Sequence, residues 1–170
     1  MLTLIIGGSA SGKSEYAERL IMARPGPHIY LATMEPWGEE GAARVAKHRE
    51  ARRQRDFLTV ERYAALDCLS LPPDSCVLLE DLGNLVANEL FRPDGGGEDK
   101  VRFGLLHLLQ SCSDLAIVTN DVFASGRDYE GETLRYLKAL AGMNRWLAEQ
   151  ADCVIEVVCG LPDIWKGALP

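Results

Sequence analysis

The sequence predicts an α/β fold with a mostly parallel central sheet. Short apolar runs alternate with longer segments of mixed polarity along the 170 residues. Most of these runs are nearly continuously apolar, as expected for parallel strands that are covered on both faces. A glycine-rich turn joins the first run to the first helix. Strands that alternate with helices form parallel sheets with right-handed crossovers, and the length fits one domain over residues 1–170.

The predicted strands are short apolar runs between turn signals. They comprise residues 2–6, 28–33, 57–61, 76–79, 115–120 and 154–158. The predicted helices lie between them and comprise residues 15–22, 39–55, 63–69, 82–91, 101–111 and 130–150. Proline cannot continue a helix, so Pro25 ends the first helix and Pro72 closes the third. Residues 92–99 and 121–129 are predicted loops, and the tail 160–170 is expected to be loop-like.

Charge and cysteine content exclude several classes of protein. The net charge of −7 argues against broad nucleic-acid binding. No apolar run approaches the length of a membrane span, and the N-terminus lacks the basic region and cleavage site of a signal peptide. The five cysteines form no C-x-x-C pair and have no metal-type spacing with histidine. These features predict a cytoplasmic protein with reduced thiols and no zinc site.

The turn after the first strand has the spacing G-x4-G-K-S of a phosphate-binding P-loop. It comprises Gly7, Gly8, Ser9, Ala10, Ser11, Gly12, Lys13 and Ser14. Glycines let successive N–H groups point at one anion, and the helix that begins here adds its positive dipole end. Lys13 can neutralise β- and γ-phosphate oxygens, and the Ser14 hydroxyl can ligate Mg²⁺. The alternative is a glycine turn that binds nothing, but the strand–loop–helix context favours a nucleoside triphosphate site.

A pair of acids follows the buried strand 76–79. An apolar strand that ends in an acid is typical of the second half of a P-loop site, where the acid holds Mg²⁺ or its water, or activates a hydroxyl. Glu80 ends the strand and is the better candidate. Asp81 is alternatively the N-cap of the next helix.

The predicted helix 39–55 is strongly basic in an acidic protein. Arg44, His48 and Arg52 are spaced i, i+4, i+8 and share one helix face. Cations on that face suit a polyphosphate, although a solvated face explains the charges equally well. Neighbouring positive charge favours neutral His48, which could attack a nucleotide α-phosphate and form a nucleotidyl-histidine. From the residues alone, an ordinary surface histidine remains the more common case.

Other polar residues occur at positions where they could act. Thr119, Asn120 and Asp121 stand at the carboxyl end of a strand, where they could contact a base or phosphates, or only cap a loop. Trp37 follows the second strand and could stack on a planar ligand or pack locally. The spacing reveals no role for three asparagines inside helices, Asn84, Asn88 and Asn144.

Together, several segments resemble the bifunctional adenosylcobinamide kinase / adenosylcobinamide-phosphate guanylyltransferase family. The resemblance covers nearly the whole chain. The P-loop is shared by many families, whereas the histidine segment A-A-R-x-x-x-H at Ala42 to His48, together with V-T-N at Val118 to Asn120 and the G-x-N-x-x-L-A segment, is far more specific. The other matching segments are the P-loop with Tyr16 to Glu18 behind it, residues 30–33, Glu61, residues 78–80, Asn88, residues 118–122, G-x-N-x-x-L-A at Gly142 to Ala148, and V-x-x-G at Val157 to Gly160.

The resemblance implies a three-layer, RecA-like P-loop NTPase fold and a two-step activity. A nucleoside triphosphate, ATP or GTP, first phosphorylates the aminopropanol hydroxyl of adenosylcobinamide. GTP then guanylylates a histidine with release of pyrophosphate, and GMP passes to adenosylcobinamide phosphate. The product is adenosylcobinamide-GDP, in cobalamin biosynthesis. The resemblance also implies a homotrimer.

The same resemblance assigns roles to individual residues. His48 is the guanylylated residue, with Lys13 as a second catalytic group, and Ser14 and Glu80 as Mg²⁺ ligands. Beyond the P-loop, the residues expected to bind nucleotide are Ala32, Thr33, Met34, Arg49, Glu50, Ala51, Arg52, Glu61 and Glu80.

The chain departs from the family pattern at two places. The family often has aspartate and then cysteine after the central strand, where this chain has Glu80 and Asp81. Residues 121–129 replace a G-x-G-I-V-P loop. Two other functions therefore stay open: a single-step P-loop kinase of another small molecule, and a nucleotide-binding regulatory protein that does not catalyse.

Overall fold

The computed structural model describes residues 1–36, 56–123 and 126–168. The strands within these ranges are β1 (Leu2–Gly7), β2 (His28–Ala32), β3 (Leu58–Glu61), β4 (Cys76–Glu80), β5 (Asp114–Asn120), β6 (Cys153–Val158) and β7 (Leu161–Lys166). The α-helices there are α1 (Lys13–Met22), α2 (Leu82–Phe91), α3 (Gly97–Ser111) and α4 (Gly131–Gln150). The predicted helix 39–55 lies outside the described residues, as do His48 and Trp37.

The described strands form one sheet in the order β3-β2-β4-β5-β1-β6-β7. All neighbouring pairs are parallel except β6 and β7, which are antiparallel. The predicted α/β fold with a mostly parallel sheet is therefore confirmed. The carboxyl ends of β1 to β5 meet at one edge, which is where ligands bind in such sheets.

The sheet carries a hydrophobic core on each face. On one face, Leu31, Leu79 and Ile117 pack with side chains of α2, α3 and α4. On the other, Tyr30, Leu78 and residues of β5 and β6 pack against α1. Successive strand residues point to opposite faces, so neighbouring residues such as Leu78 and Leu79 enter different cores. These two cores produce the three layers that the resemblance implied.

The tail provides one correction to the sequence prediction. Residues 160–170 were expected to be loop-like, but Leu161–Lys166 form strand β7 along the outer side of β6. Cys159 and Gly160 turn the chain back with positive φ angles of 51° and 80°. Pro162 is tolerated because β7 is at the edge of the sheet, where a missing N–H donor costs little. β6 and β7 thus form a hairpin, in which Val158 pairs with Leu161 across the two-residue turn. Leu161–Lys166 contains a proline and lacks a regular alternation of polar and apolar residues, so the sequence pattern did not predict this strand.

The segment after β3 provides a second correction. A helix was expected over residues 63–69, but the structure has only a short 3₁₀ turn, Leu66–Cys68. Ala65 has a φ of 53°, in the left-handed region, which interrupts any right-handed helix at that point. Helix α3 also begins at Gly97, four residues earlier than expected, and has Glu98 and Asp99 in its first turn. Acidic side chains at that end are favoured by the helix dipole.

Within the described part of the chain, no helix is both long and apolar enough to span a bilayer.

Candidate nucleotide site

The P-loop connects β1 to α1 and is shaped by its glycines. A Cβ on Gly7 would lie 2.5 Å from Ser11 Oγ and 2.7 Å from a main-chain oxygen of β6, so this position has no room for a side chain. Gly12 has a φ of 89° and lies just before the first residue of α1. The N–H groups of the first turn of α1 have no partner within the helix and are available to an anion.

Lys13 is the first residue of α1 and is only 7% exposed. Its Nζ donates a hydrogen bond of 3.0 Å to the Gly8 carbonyl oxygen, across the loop. The P-loop is thus closed by a hydrogen bond from its own lysine. An ammonium group in this position can exchange one carbonyl partner for phosphate oxygens that occupy the loop.

Ser14 and Glu80 bring the two halves of the site together. The Ser14 hydroxyl donates a 2.7 Å hydrogen bond to Glu80 Oε1, although the residues are 66 positions apart. Glu80 is the last residue of β4, two strands away from β1 in the sheet. A hydroxyl and a carboxylate oxygen in contact are hard oxygen donors, the kind that Mg²⁺ prefers. These two side chains therefore fit the expected magnesium site.

A cleft of about 590 Å³ opens over these groups at the carboxyl edge of the sheet. This volume is within the range of small-molecule sites. Its lining comes from the P-loop and from the ends of β2, β3, β4 and β5. The lining residues are Ser9, Ala10, Lys13, Ser14, Tyr30, Ala32, Met34, Glu61, Glu80, Asp81, Asn84, Asn120 and Val122.

Most of the nucleotide-site residues predicted in the described ranges lie at this cleft. Ala32, Met34, Glu61 and Glu80 line it together with four P-loop residues. Thr33 is fully buried, and its hydroxyl donates to the Asp81 carbonyl oxygen at 2.7 Å. The predicted site residues Arg49, Glu50, Ala51 and Arg52 belong to the segment outside the described residues, together with His48.

Asp81 is the N-cap of α2, as one interpretation of the sequence proposed. Its Oδ1 accepts a 2.6 Å hydrogen bond from the Asn84 N–H, and its Oδ2 accepts one of 2.9 Å from Asn120 Nδ2. Burial raises the pKa of the Asp81 carboxyl, and the hydrogen bonds from Asn84 and Asn120 oppose that shift. The two adjacent acids thus have different surroundings: Glu80 faces Ser14, and Asp81 joins the start of α2 to the end of β5.

Sequence reasoning missed two lining residues, Tyr30 and Val122. Tyr30 belongs to an apolar run of the sequence, which indicates a core residue, and the structure buries it within β2 at 2% exposure. Val122 follows the polar end of β5, and its apolar side chain gives no signal of a binding role. Asn84, which had no predicted role, also lines the cleft because its helix starts directly at the end of β4.

Comparison with known proteins identifies the family. A family model described as cobinamide kinase / cobinamide phosphate guanyltransferase matches residues 3–164. The bifunctional adenosylcobalamin biosynthesis protein CobU of Salmonella typhimurium is 33% identical, and that of Escherichia coli is 34% identical. Each alignment covers 95% of this chain and 97% of the relative. The protein CobP of Pseudomonas aeruginosa, with the same description, is 32% identical over 98% of both chains.

These matches confirm the resemblance seen in the sequence, and they extend over the P-loop, the cleft and the segment that contains His48. This chain belongs to the cobinamide kinase / cobinamide phosphate guanylyltransferase family, the bifunctional kinases and guanylyltransferases of adenosylcobalamin biosynthesis.

Proposed function

We propose that this chain phosphorylates the aminopropanol hydroxyl of adenosylcobinamide and then transfers GMP from GTP to the new phosphate through a guanylyl group on His48. The observation that carries the proposal is the hydrogen bond between Ser14 and Glu80 beside Lys13. It places cation, hydroxyl and carboxylate at the base of one cleft, and Ala32, Met34 and Glu61 line that same cleft.

In the kinase step, the P-loop holds the triphosphate through its N–H groups and the Lys13 ammonium. Ser14 and Glu80 would hold Mg²⁺, which would supply positive charge to the phosphate oxygens. The substrate oxygen forms a bond to the γ-phosphorus, the bond from that phosphorus to the bridging oxygen breaks, and the hydroxyl proton passes to water. A nucleoside diphosphate leaves.

In the guanylyltransferase step, an imidazole nitrogen of His48 attacks the α-phosphorus of GTP. The N–P bond forms as the bond to pyrophosphate breaks, which gives a guanylyl-histidine. An oxygen of adenosylcobinamide phosphate then displaces the histidine, and adenosylcobinamide-GDP is released. Arg49 and Arg52, which follow the histidine by one and four residues in sequence, stabilise negative charge on the transferred phosphate.

The experiment uses GTP labelled at either the α- or the γ-phosphate, with Mg²⁺. The expected result is α-label on the protein that resists alkali, is released by acid, and is absent in His48→Ala. His107→Ala is the matched control, because His107 binds the Leu69 carbonyl oxygen away from the cleft and its variant should keep the label. No α-label while GTP demonstrably binds would reject guanylyl transfer.

The same assay separates the other functions. A single-step kinase transfers γ-label to its acceptor without α-label on the protein, and a regulatory protein transfers neither. Omission of Mg²⁺ should abolish both labels. The family resemblance also leads us to propose a homotrimer, which light scattering during size-exclusion chromatography tests directly.

A further inference from the structure

Helix α2 contains an asparagine that cross-links two loops at the cleft. Asn88 is 9% exposed. Its Nδ2 donates one hydrogen bond of 2.9 Å to the Thr33 carbonyl oxygen and another of 2.9 Å to the Tyr63 carbonyl oxygen. Both N–H hydrogens of this one amide are thus used, one on the chain that follows β2 and the other on the chain that follows β3. The loop after β2 and the loop after β3 are held together by one side chain.

The cross-linked positions are neighbours of residues that line the cleft. Thr33 lies between Ala32 and Met34, and Tyr63 is two residues after Glu61. Thr33 is held from the other side as well, because its N–H donates to the Glu80 carbonyl oxygen at 3.1 Å. A shift of the Asn88 contacts would therefore move the wall formed by Ala32, Met34 and Glu61 relative to the P-loop.

A second contact holds the same loop one helical turn further along. Arg92 follows Asn88 by four residues and is the C-cap residue of α2, where its N–H donates to the Asn88 carbonyl oxygen at 3.0 Å. Arg92 Nη1 lies 2.6 Å from Glu35 Oε2, and Nε lies 2.9 Å from Asp94 Oδ1. Glu35 belongs to the chain that leaves β2, which continues in sequence to His48. We call the pair Asn88 and Arg92 the α2 clamp.

We propose that the α2 clamp positions the loop after β2 for guanylyl transfer, while phosphoryl transfer depends on the P-loop. The inference rests on the proposed function, because it assigns the second step to His48. The α2 clamp holds Thr33 and Glu35, which precede His48 in sequence on the chain that leaves β2. By contrast, the hydrogen bonds described for Lys13 and Ser14 do not involve this loop. Glu80 meets the loop only through its main-chain oxygen in the hydrogen bonds described above, whereas its side chain accepts from Ser14.

The expected effect follows from the geometry of nucleophilic attack. The attacking nitrogen and the phosphorus must approach within about 3–3.5 Å in line, and a misplacement of about 1 Å costs on the order of 100-fold in rate. Loss of the α2 clamp should therefore slow guanylyl transfer much more than phosphoryl transfer. A residue that only satisfies buried carbonyl groups would instead reduce stability, and both activities would fall together.

The test compares initial rates of α-label and γ-label transfer in four variants. Asn88→Ala and Glu35→Gln each remove one part of the α2 clamp's hold on the loop. The expected result is that Asn88→Ala lowers the α-label rate by roughly 10- to 100-fold, with a smaller loss in Glu35→Gln, while the γ-label rate stays near wild type.

Two variants serve as matched controls. Asn144 is 8% exposed and accepts a 2.8 Å hydrogen bond from Thr119, which joins α4 to β5 and not to the loops after β2 and β3. Asn144→Ala should therefore cost stability without changing the ratio of the two rates. Asp94→Asn weakens the other ion pair of Arg92, leaves the contact with Glu35, and should also leave the ratio unchanged.

Each outcome supports or overturns the inference. Unchanged α-label rates in both α2 clamp variants, or a parallel fall of both rates, would overturn it while the proposed function stands. If Asn88→Ala does not fold, the rate ratio of Glu35→Gln is compared with that of Asp94→Asn. Both side chains are partly exposed, so we expect both variants to fold. Absence of α-label in the wild-type protein would overturn the proposed function and this inference together.

Discussion

Replacement of Asp81 separates its two contributions, an acceptor for the N-cap of α2 and a buried charge. Asp81→Ala removes the 2.6 Å bond from the Asn84 N–H and the 2.9 Å bond from Asn120 Nδ2. Loss of an N-cap acceptor costs about 1 kcal/mol, and loss of a side-chain hydrogen bond costs about the same. Relief of the buried carboxylate offsets part of this cost. We expect a net loss of about 1–2 kcal/mol, or about 2–8 °C in Tm for a chain of this size.

Asp81→Asn should behave differently at neutral pH. Asparagine caps a helix as well as aspartate does, and the Asn120 amide can turn to present its oxygen to the new N–H. The variant also removes the desolvated charge that raises the pKa of Asp81. We therefore expect a Tm equal to or above that of the wild type at pH 7.

The pH dependence has a definite sign. The pKa of Asp81 is raised in the folded protein. The contribution of this shift to the free energy of unfolding is therefore complete below the unfolded pKa of about 4 and is lost as pH rises through the folded pKa. The difference in Tm between Asp81→Asn and the wild type should shrink as pH falls from 7 towards 4. Thermal unfolding followed by circular dichroism gives the Tm of the wild type and of both variants. The reasoning is refuted if Asp81→Asn loses as much stability as Asp81→Ala at pH 7.

Three further predictions concern the cleft and the thiols. Glu80→Gln should lower Mg²⁺-dependent phosphoryl transfer on the order of 100-fold, with a Tm near wild type, in the γ-label assay; unchanged turnover would exclude Glu80 as a metal ligand. Gly7→Ala should cost about 1–3 kcal/mol in thermal unfolding, because its Cβ would lie 2.7 Å from a main-chain oxygen of β6, and full stability would contradict this. Exposed Cys68 and Cys159 should react quickly with a thiol reagent at pH 8, whereas Cys112 should react slowly, because burial raises its pKa to about 11; mass spectrometry of the labelled peptides checks the order.

Patterns within short stretches of sequence were sufficient to predict much of the fold and part of the nucleotide site. The spacing from Gly7 to Ser14 predicted the P-loop, because an anion cradle needs glycines and a helix start in that order. The apolar runs predicted the strands of the parallel sheet. An acid at the end of a buried strand predicted Glu80 as a partner of the P-loop, and the structure places Ser14 against it. His48 stays a prediction.

Only the tertiary structure decided which distant segments meet. Asn88 looked like any polar residue inside a helix, and it became interpretable only when Thr33 and Tyr63 lay within reach of its amide. The sequence by itself determined most of the helices and strands and the phosphate loop, because these depend on periodicity and spacing between neighbours. The tertiary structure decided the cleft wall and the α2 clamp, because hydrogen bonds between residues 25 and 55 positions apart leave no periodic trace in the chain.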